Sequence, residues 1–162
     1  MKGMPSVTRV LMVLSVLAGL SSIVGAQKDP HIGTWKLDLS RSTFSPGPAP
    51  GSQTVTFLAT ADGLAALLQG VGADGKAINP DVSNVAIIFD GKDHPTPMPG
   101  YEVSAWQRVD ANTYRVVRKK AGKIVLTSVN VVSKDGTTMT ITTTGIGADG
   151  KPVNNVRVFV RQ

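Results

Sequence analysis

The sequence contains no cysteine among its 162 residues. The fold therefore has no disulfide, and no lipid can be attached to a cysteine at a signal-peptide cleavage site. A chain of this length buries about two-thirds of its unfolded surface, so its core can stabilise it without disulfides. The absence of cysteine is compatible with a periplasmic or extracellular protein that depends on its hydrophobic core.

Histidine is scarce, because the chain has only His31 and His94. A serine or threonine nucleophile needs a neighbouring base, and the sequence has no Gly-x-Ser-x-Gly pattern. Two histidines without a further ligand at a suitable spacing do not predict a zinc site. We therefore expect no catalytic residue, no metal and no cofactor, and we interpret the chain as a non-enzyme.

The aspartates are explained by turns rather than by acid–base chemistry. Aspartate favours turns because its side chain accepts hydrogen bonds from the backbone two residues further along the chain. Six aspartates lie in predicted turns: Asp62, Asp74, Asp90, Asp110, Asp135 and Asp149. The sequence also has no glycine-rich loop of the kind that binds nucleotide phosphates.

The N-terminal segment has the pattern of a signal peptide. Lys2 and Arg9 precede an apolar stretch over residues 10–26, and the small residues Val24-Gly25-Ala26 form a suitable cleavage site. We predict a signal peptide over residues 1–26, cleavage after Ala26, and a single domain over residues 27–162. No transmembrane span is expected after cleavage, and the predicted location is periplasmic or secreted. The alternative is a retained membrane anchor, for which the apolar stretch is short and diluted by glycine and serine.

The net charge of +6 falls to about +4 without the predicted signal peptide. Such a charge is weak support for a polyanion partner, and no nucleic acid is expected. One dense basic cluster surrounds the turn at Ala121-Gly122: Arg115, Arg118, Lys119, Lys120 and Lys123. It is interpreted as a solvated hairpin tip or, alternatively, as a surface that contacts an anionic envelope component.

Asp-Gly turns and a period of two predict an all-β fold. Trp35, Leu37 and Leu39 alternate with Lys36 and Asp38, as in a half-buried strand. About nine strands are predicted, over residues 33–39, 53–60, 63–71, 83–90, 101–108, 112–120, 123–133, 136–145 and 153–161. Closure removes exposed edges, so we expect an antiparallel up-and-down meander forming a barrel of eight to ten strands. A two-sheet β-sandwich is the alternative.

The sequence also contains an internal similarity. Residues 70–79 (GVGADGKAIN) match residues 145–154 (GIGADGKPVN), and each copy follows a strand. The match predicts two equivalent hairpins on one barrel. Independent origin of two common Asp-Gly-Lys turns explains it equally well.

A candidate ligand site follows from the strand after the proline-rich stretch 93–100, which is predicted to be a loop. Alternation puts Tyr101, Val103 and Ala105 on one face and Trp106 on the other. If the first face is internal, Val103 and Ala105 leave space and Tyr101 offers its hydroxyl to a ligand. If the register is shifted by a bulge, Trp106 enters the interior and fills much of it. All four are kept as candidate ligand-binding residues.

Gly33-Thr34-Trp35, at the start of the first predicted strand, resembles the Gly-x-Trp signature of lipocalins and related calycin barrels. The resemblance implies that Trp35 closes one end of the barrel and that a basic residue of the last strand lies across it. Arg157 and Arg161 are the candidates for this cation–π contact.

A wider resemblance covers most of the chain after residue 33. Phe44-Ser45-Pro46-Gly47-Pro48, Phe89-Asp90-Gly91-Lys92-Asp93 and Gly150-Lys151-Pro152-Val153-Asn154 are similar to segments of exported bacterial proteins that look lipocalin-like and have no settled activity. The resemblance implies the fold and supplies no catalytic residue. We expect either a non-catalytic binder of a small apolar or amphipathic ligand or a solid barrel that contacts an anionic envelope surface. The oligomeric state is not predicted.

Overall fold

The computed structural model describes residues 28–78, 85–96, 98 and 100–162. The predicted signal peptide lies outside these residues. The described residues form ten strands: β1 (Gly33–Thr43), β2 (Ser52–Thr60), β3 (Gly63–Val71), β4 (Val85–Ile88), β5 (Asp93–Pro95), β6 (Val103–Arg108), β7 (Thr113–Lys120), β8 (Lys123–Val132), β9 (Thr138–Ile146) and β10 (Pro152–Arg161). Within these ranges, no helix is long and apolar enough to cross a membrane.

The strands form one sheet in the order β4-β3-β2-β1-β10-β9-β8-β7-β6-β5, with antiparallel neighbours. Pairing of β1 with β10 joins the first and last strands, so among the described strands the sheet is broken between β4 and β5. Across that break β4 comes close to β6, which makes the barrel nearly closed. The prediction of an all-β, antiparallel up-and-down, lipocalin-like barrel is confirmed.

The inward faces of the strands supply the core, as the period of two predicts. In β1, Trp35 and Leu37 are buried whereas Lys36 is exposed. Large apolar side chains of the other strands pack against them, including Phe57, Met139 and Phe159. Burial of these side chains from both halves of the chain closes the sheet around a single core.

One predicted loop contains a short strand. Residues 93–95 pair with β6, with Asp93 opposite Ala105 and Pro95 opposite Val103. The prediction of a loop over the whole of residues 93–100 is therefore wrong for its first three residues. Proline is tolerated there because β5 is an edge strand, and an edge strand has one side that needs no backbone donor.

The end of the barrel that contains Trp35 is closed by the segment preceding β1. The Trp35 indole Nε1–H donates a 2.7 Å hydrogen bond to the carbonyl of His31. The Arg161 guanidinium carbon lies 4.1 Å from the centre of a Trp35 ring. The same guanidinium donates to the backbone carbonyls of Pro30, Ile32 and Gly136. Arg161 therefore ties this segment to the last strand and to the β8–β9 turn.

A second tie at the closed end is made by Asp29. Its carboxylate forms an ion pair with Arg108 at the end of β6, and its Oδ1 lies 3.0 Å from His31 Nδ1. Burial tends to raise the pKa of Asp29, but hydrogen bonds from the His31 ring and backbone and the charge of Arg108 outweigh it. The net effect lowers the pKa of Asp29 to about 2. Asp29 is therefore ionised throughout the neutral pH range.

Candidate ligand-binding site

A cavity of about 160 Å³ lies inside the barrel, between its centre and the end opposite Trp35. One wall is apolar and comes from β2, β3 and β4: Val55, Phe57, Ala66, Leu68 and Val85. The facing wall comes from β6, β7, β8 and β10 and contains the polar side chains Ser104, Arg118, Asn130 and Arg157. Trp106 and Tyr114 lie on the side nearer the closed end, and Thr96, Met98 and Tyr101 form the rim.

The polar wall is partly satisfied by internal hydrogen bonds. Arg118 Nη1 donates to Ser128 Oγ at 2.7 Å, and Ser128 Oγ lies 2.8 Å from the hydroxyl of Thr143. Arg157 Nη1 donates to Gln53 Oε1 at 3.2 Å. Two buried polar atoms of the wall, Ser104 Oγ and Arg157 Nε, have no partner among the described residues. Both atoms can donate a hydrogen bond to a group in the cavity.

The two arginines make this wall electropositive. Burial lowers the pKa of the Arg157 guanidinium to about 10, and the charge of Arg118 acts in the same direction. Arg157 still carries its charge at neutral pH. In the described part of the chain, no carboxylate forms an ion pair with either arginine. Two cations without an anionic partner favour an anion between them.

Aromatic rings hold Arg118 in the interior. Its guanidinium carbon lies 5.2 Å from the ring centre of Tyr101 and 5.9 Å from that of Trp106. Trp106 in turn contacts the edge of Tyr114, with ring centres 5.5 Å apart. Such cation–π contacts stabilise a cation that has been removed from water.

The structure separates the four residues predicted to bind a ligand. Tyr101 and Trp106 line the cavity, whereas Val103 and Ala105 lie on the outward face of β6. Of the two arrangements considered for this strand, the structure therefore has the one with Trp106 in the interior, and Val103 and Ala105 do not line the cavity. Burial of the large apolar Trp106 favours the opposite register. Because β6 begins at Val103, Tyr101 precedes the strand and reaches the cavity without obeying its alternation.

The sequence interpretation missed Ser104, Arg118, Asn130 and Arg157 as cavity residues. A signal for Arg118 was present, because it continues the inward series Tyr114 and Val116 of β7. Ser104 likewise follows from Trp106 by the period of two. By the same period of two, Asn130 shares the inward face of β8 with the buried Val132. Arg157 shares the inward face of β10 with the buried Phe159.

The predicted basic cluster does not form one surface. Arg118 faces the cavity, which corrects its assignment to the hairpin tip. Lys119 Nζ pairs with Asp93 Oδ2 at 2.9 Å. Arg115 is exposed on the outer face of β7, and Lys120 and Lys123 are exposed beside the β7–β8 turn. The exposed part of the cluster is thus smaller than the sequence suggested.

The two histidines each lie beside one aspartate. His31 Nδ1 is paired with Asp29, and His94 Nε2 lies 2.9 Å from Asp90 Oδ1. Across the described ranges, no group of three or more histidine, aspartate or glutamate side chains is placed to hold a metal ion. The lining of the cavity itself consists of apolar, hydroxyl, amide and guanidinium groups.

A scan against protein-family models found no match. A search of curated protein sequences found no match either. Among solved structures, the chain is similar to a Schistosoma mansoni fatty acid binding protein in complex with arachidonic acid. That match has a TM-score of 0.54 and 18% identity, and it covers 82% of this chain and 96% of the other.

The chain is also similar to a zebrafish ileal bile acid-binding protein complexed with cholic acid. Here the TM-score is 0.50 and the identity 11%, with 82% of this chain and 99% of the other covered. At these identities the two likenesses show the fold. That fold is the nearly closed antiparallel β-barrel described above.

Proposed function

We propose that the protein binds a small amphipathic molecule with an acidic group inside the barrel. The apolar wall of β2, β3 and β4 would contact the apolar part of the ligand. The acidic group would lie against Arg157 and Arg118 on the facing wall. A concave, mostly apolar site with a few convergent polar groups is the usual form of a small-molecule site.

The main support for this proposal is that, among the described residues, no carboxylate forms an ion pair with Arg157 or Arg118. Partial removal of two guanidinium groups from bulk water is costly unless an opposite charge compensates for it. A bound carboxylate would accept a hydrogen bond from the unpartnered Arg157 Nε. Charge-assisted hydrogen bonds of this kind are stronger than those between neutral groups.

The comparisons support the same class of ligand. Arachidonic acid and cholic acid, named with the two similar structures, both carry a carboxylic acid on an apolar body. The described lining of the cavity has no histidine or carboxylate that could serve as a general base, so we propose binding without catalysis. The signal-peptide pattern supports a location in the cell envelope or outside it.

Native mass spectrometry of the protein purified from its own host tests this proposal. We expect a co-purifying acid that is lost in the Arg157→Gln variant. Arg115→Gln is the matched control, because it removes the same charge from the outer face of the barrel. Equal retention of the acid by both variants would contradict the assignment of Arg157.

The exposed hairpin tip favours a second candidate function. Ile124 is 62% exposed and lies next to the exposed Lys123. An apolar side chain flanked by lysines suits contact with an anionic lipid surface. Salt-sensitive binding to phosphatidylglycerol vesicles that is lost in a Lys120→Gln/Lys123→Gln variant would support it. Equal binding by the variant would reject it.

A further inference from the structure

We infer that the ligand is a compact, ring-sized acid with a second hydrogen-bond acceptor, and not a long-chain fatty acid. This inference rests on the proposed function and specifies the class of its ligand. Three features carry it: the volume of the cavity, the side chains that end it, and the position of its unpartnered donors.

The volume of the cavity is the first feature. About 160 Å³ is close to the roughly 150 Å³ of an engineered apolar cavity that accepts one benzene molecule. It is about half the lower bound of the roughly 300–1,000 Å³ typical of sites for drug-sized ligands. A long-chain acid is several times larger than a single aromatic ring, so it would fit only if the interior repacked or the chain extended past the rim.

The side chains that end the cavity are the second feature. On the side of Trp106 nearer the closed end, the ring centre of Tyr114 lies 4.4 Å from that of His31. It lies 6.4 Å from the ring centre of Phe57. Tyr114 and His31 are almost completely buried, so the space between the cavity and Trp35 is filled. Forcing an alkyl chain into a filled core is unfavourable because it displaces packed side chains. The depth needed by a long chain is therefore closed by aromatic packing.

The position of the donors is the third feature. Ser104 and Arg157 both line the polar wall, and Ser104 Oγ and Arg157 Nε have no hydrogen-bond partner within the described part of the chain. The apolar wall lies across the barrel from them. Polar and apolar surfaces thus face each other across the width of the cavity. This arrangement suits a small planar acid whose second polar group also contacts the polar wall better than a chain with one polar end.

Calorimetric titration with benzoate, 4-hydroxybenzoate, octanoate and palmitate tests the inference. We expect 4-hydroxybenzoate to bind most tightly and palmitate at least about tenfold more weakly, because repacking opposes the longer acid. Tighter binding of palmitate than of either benzoate would overturn the size inference and leave the proposed function intact. Failure of all four acids to bind would overturn both.

Ser104→Ala tests the contact of the ligand's second polar group separately. Because Ser104 Oγ has no partner, its removal should leave the melting temperature unchanged or slightly raised. The affinity for 4-hydroxybenzoate should fall about threefold to tenfold, which is the loss of one hydrogen bond. Thr142→Ala, on the exposed outer face of β9, is the control and should change neither quantity. Unchanged affinity in Ser104→Ala would contradict the role of this hydroxyl.

Discussion

The guanidinium carbon of Arg161, in the last strand, lies 4.1 Å from the ring centre of Trp35, in the first. The same side chain donates to three backbone carbonyls of the segments that cover this end of the barrel. One arginine thus joins both ends of the described chain and satisfies backbone acceptors that would otherwise be unpaired. Arg157, the other arginine considered for the contact with Trp35, faces the cavity instead.

Replacement of Arg161 should destabilise the barrel without altering the cavity. Arg161→Gln removes the cation–π contact and leaves carbonyls unpaired, so we expect a loss of about 2–4 kcal/mol in the free energy of unfolding. Urea denaturation measures this change. Arg115→Gln is the control and should change the free energy by less than about 0.5 kcal/mol. A similar loss in both variants would contradict the tie at the closed end.

Acid should weaken the contacts of Asp29 with Arg108 and His31 at the closed end. The folded-state pKa of Asp29 is about 2, below its usual value of 3.8. Its ionised form therefore contributes stability above about pH 4, and this contribution is lost as the pH falls towards 2. We expect the contribution to be about 1–2 kcal/mol.

Urea denaturation of the wild type and of Asp29→Asn between pH 2 and 6 isolates this contribution from the other carboxylates. The two proteins should differ most at pH 6 and least at pH 2. A difference that is independent of pH would show that ionisation of Asp29 does not contribute.

The sequence predicted the strands well because their turns have a strong local chemistry. Gly75 and Gly150 both adopt a positive φ of 79°, which glycine allows at no steric cost. Gly72 N–H donates to Lys76 O at 2.7 Å, and Gly147 N–H donates to Lys151 O at 2.8 Å. The repeated sequence therefore does form two equivalent turns. The short β5 was missed because three residues ending in proline carry no such local signal.

The sequence could not decide which face of β6 is internal. A period of two separates Trp106 from Ala105, but it does not say which side of a strand meets the core. Arg118 was misassigned for a related reason, because a run of basic residues was interpreted as one exposed surface. The inward position of Arg118 becomes clear only when its alternation with Tyr114 and Val116 is combined with the pairing of Arg118 with Ser104.

Tryptophan fluorescence should distinguish the two tryptophans. Trp35 is 0% and Trp106 6% exposed, so the emission of both should be blue-shifted and weakly quenched by acrylamide. Because Trp106 lines the cavity and Trp35 does not, adding 4-hydroxybenzoate should change the emission of the wild type. The change should be absent in Trp106→Phe. A change that persists in this variant would place the ligand elsewhere.

Replacement of Arg157 by methionine should separate stability from binding. The folded protein keeps this guanidinium charged next to Arg118, and burial already lowers its pKa to about 10. Methionine fills a similar volume without a charge, so Arg157→Met should raise the free energy of unfolding by about 1 kcal/mol in the absence of ligand. The variant leaves Gln53 Oε1 without its donor, which limits the gain.

The same variant should lose most of its affinity for a carboxylate, because the charge-assisted hydrogen bond is gone. Urea denaturation with and without 4-hydroxybenzoate measures both effects in one experiment. The ligand should stabilise the wild type and Arg115→Gln and leave Arg157→Met unaffected, since only a ligand that binds the folded state raises its stability. Stabilisation of Arg157→Met to the wild-type extent would show that the acid does not contact this arginine. A lower free energy of unfolding of Arg157→Met without ligand would instead show that Arg157 stabilises the folded protein.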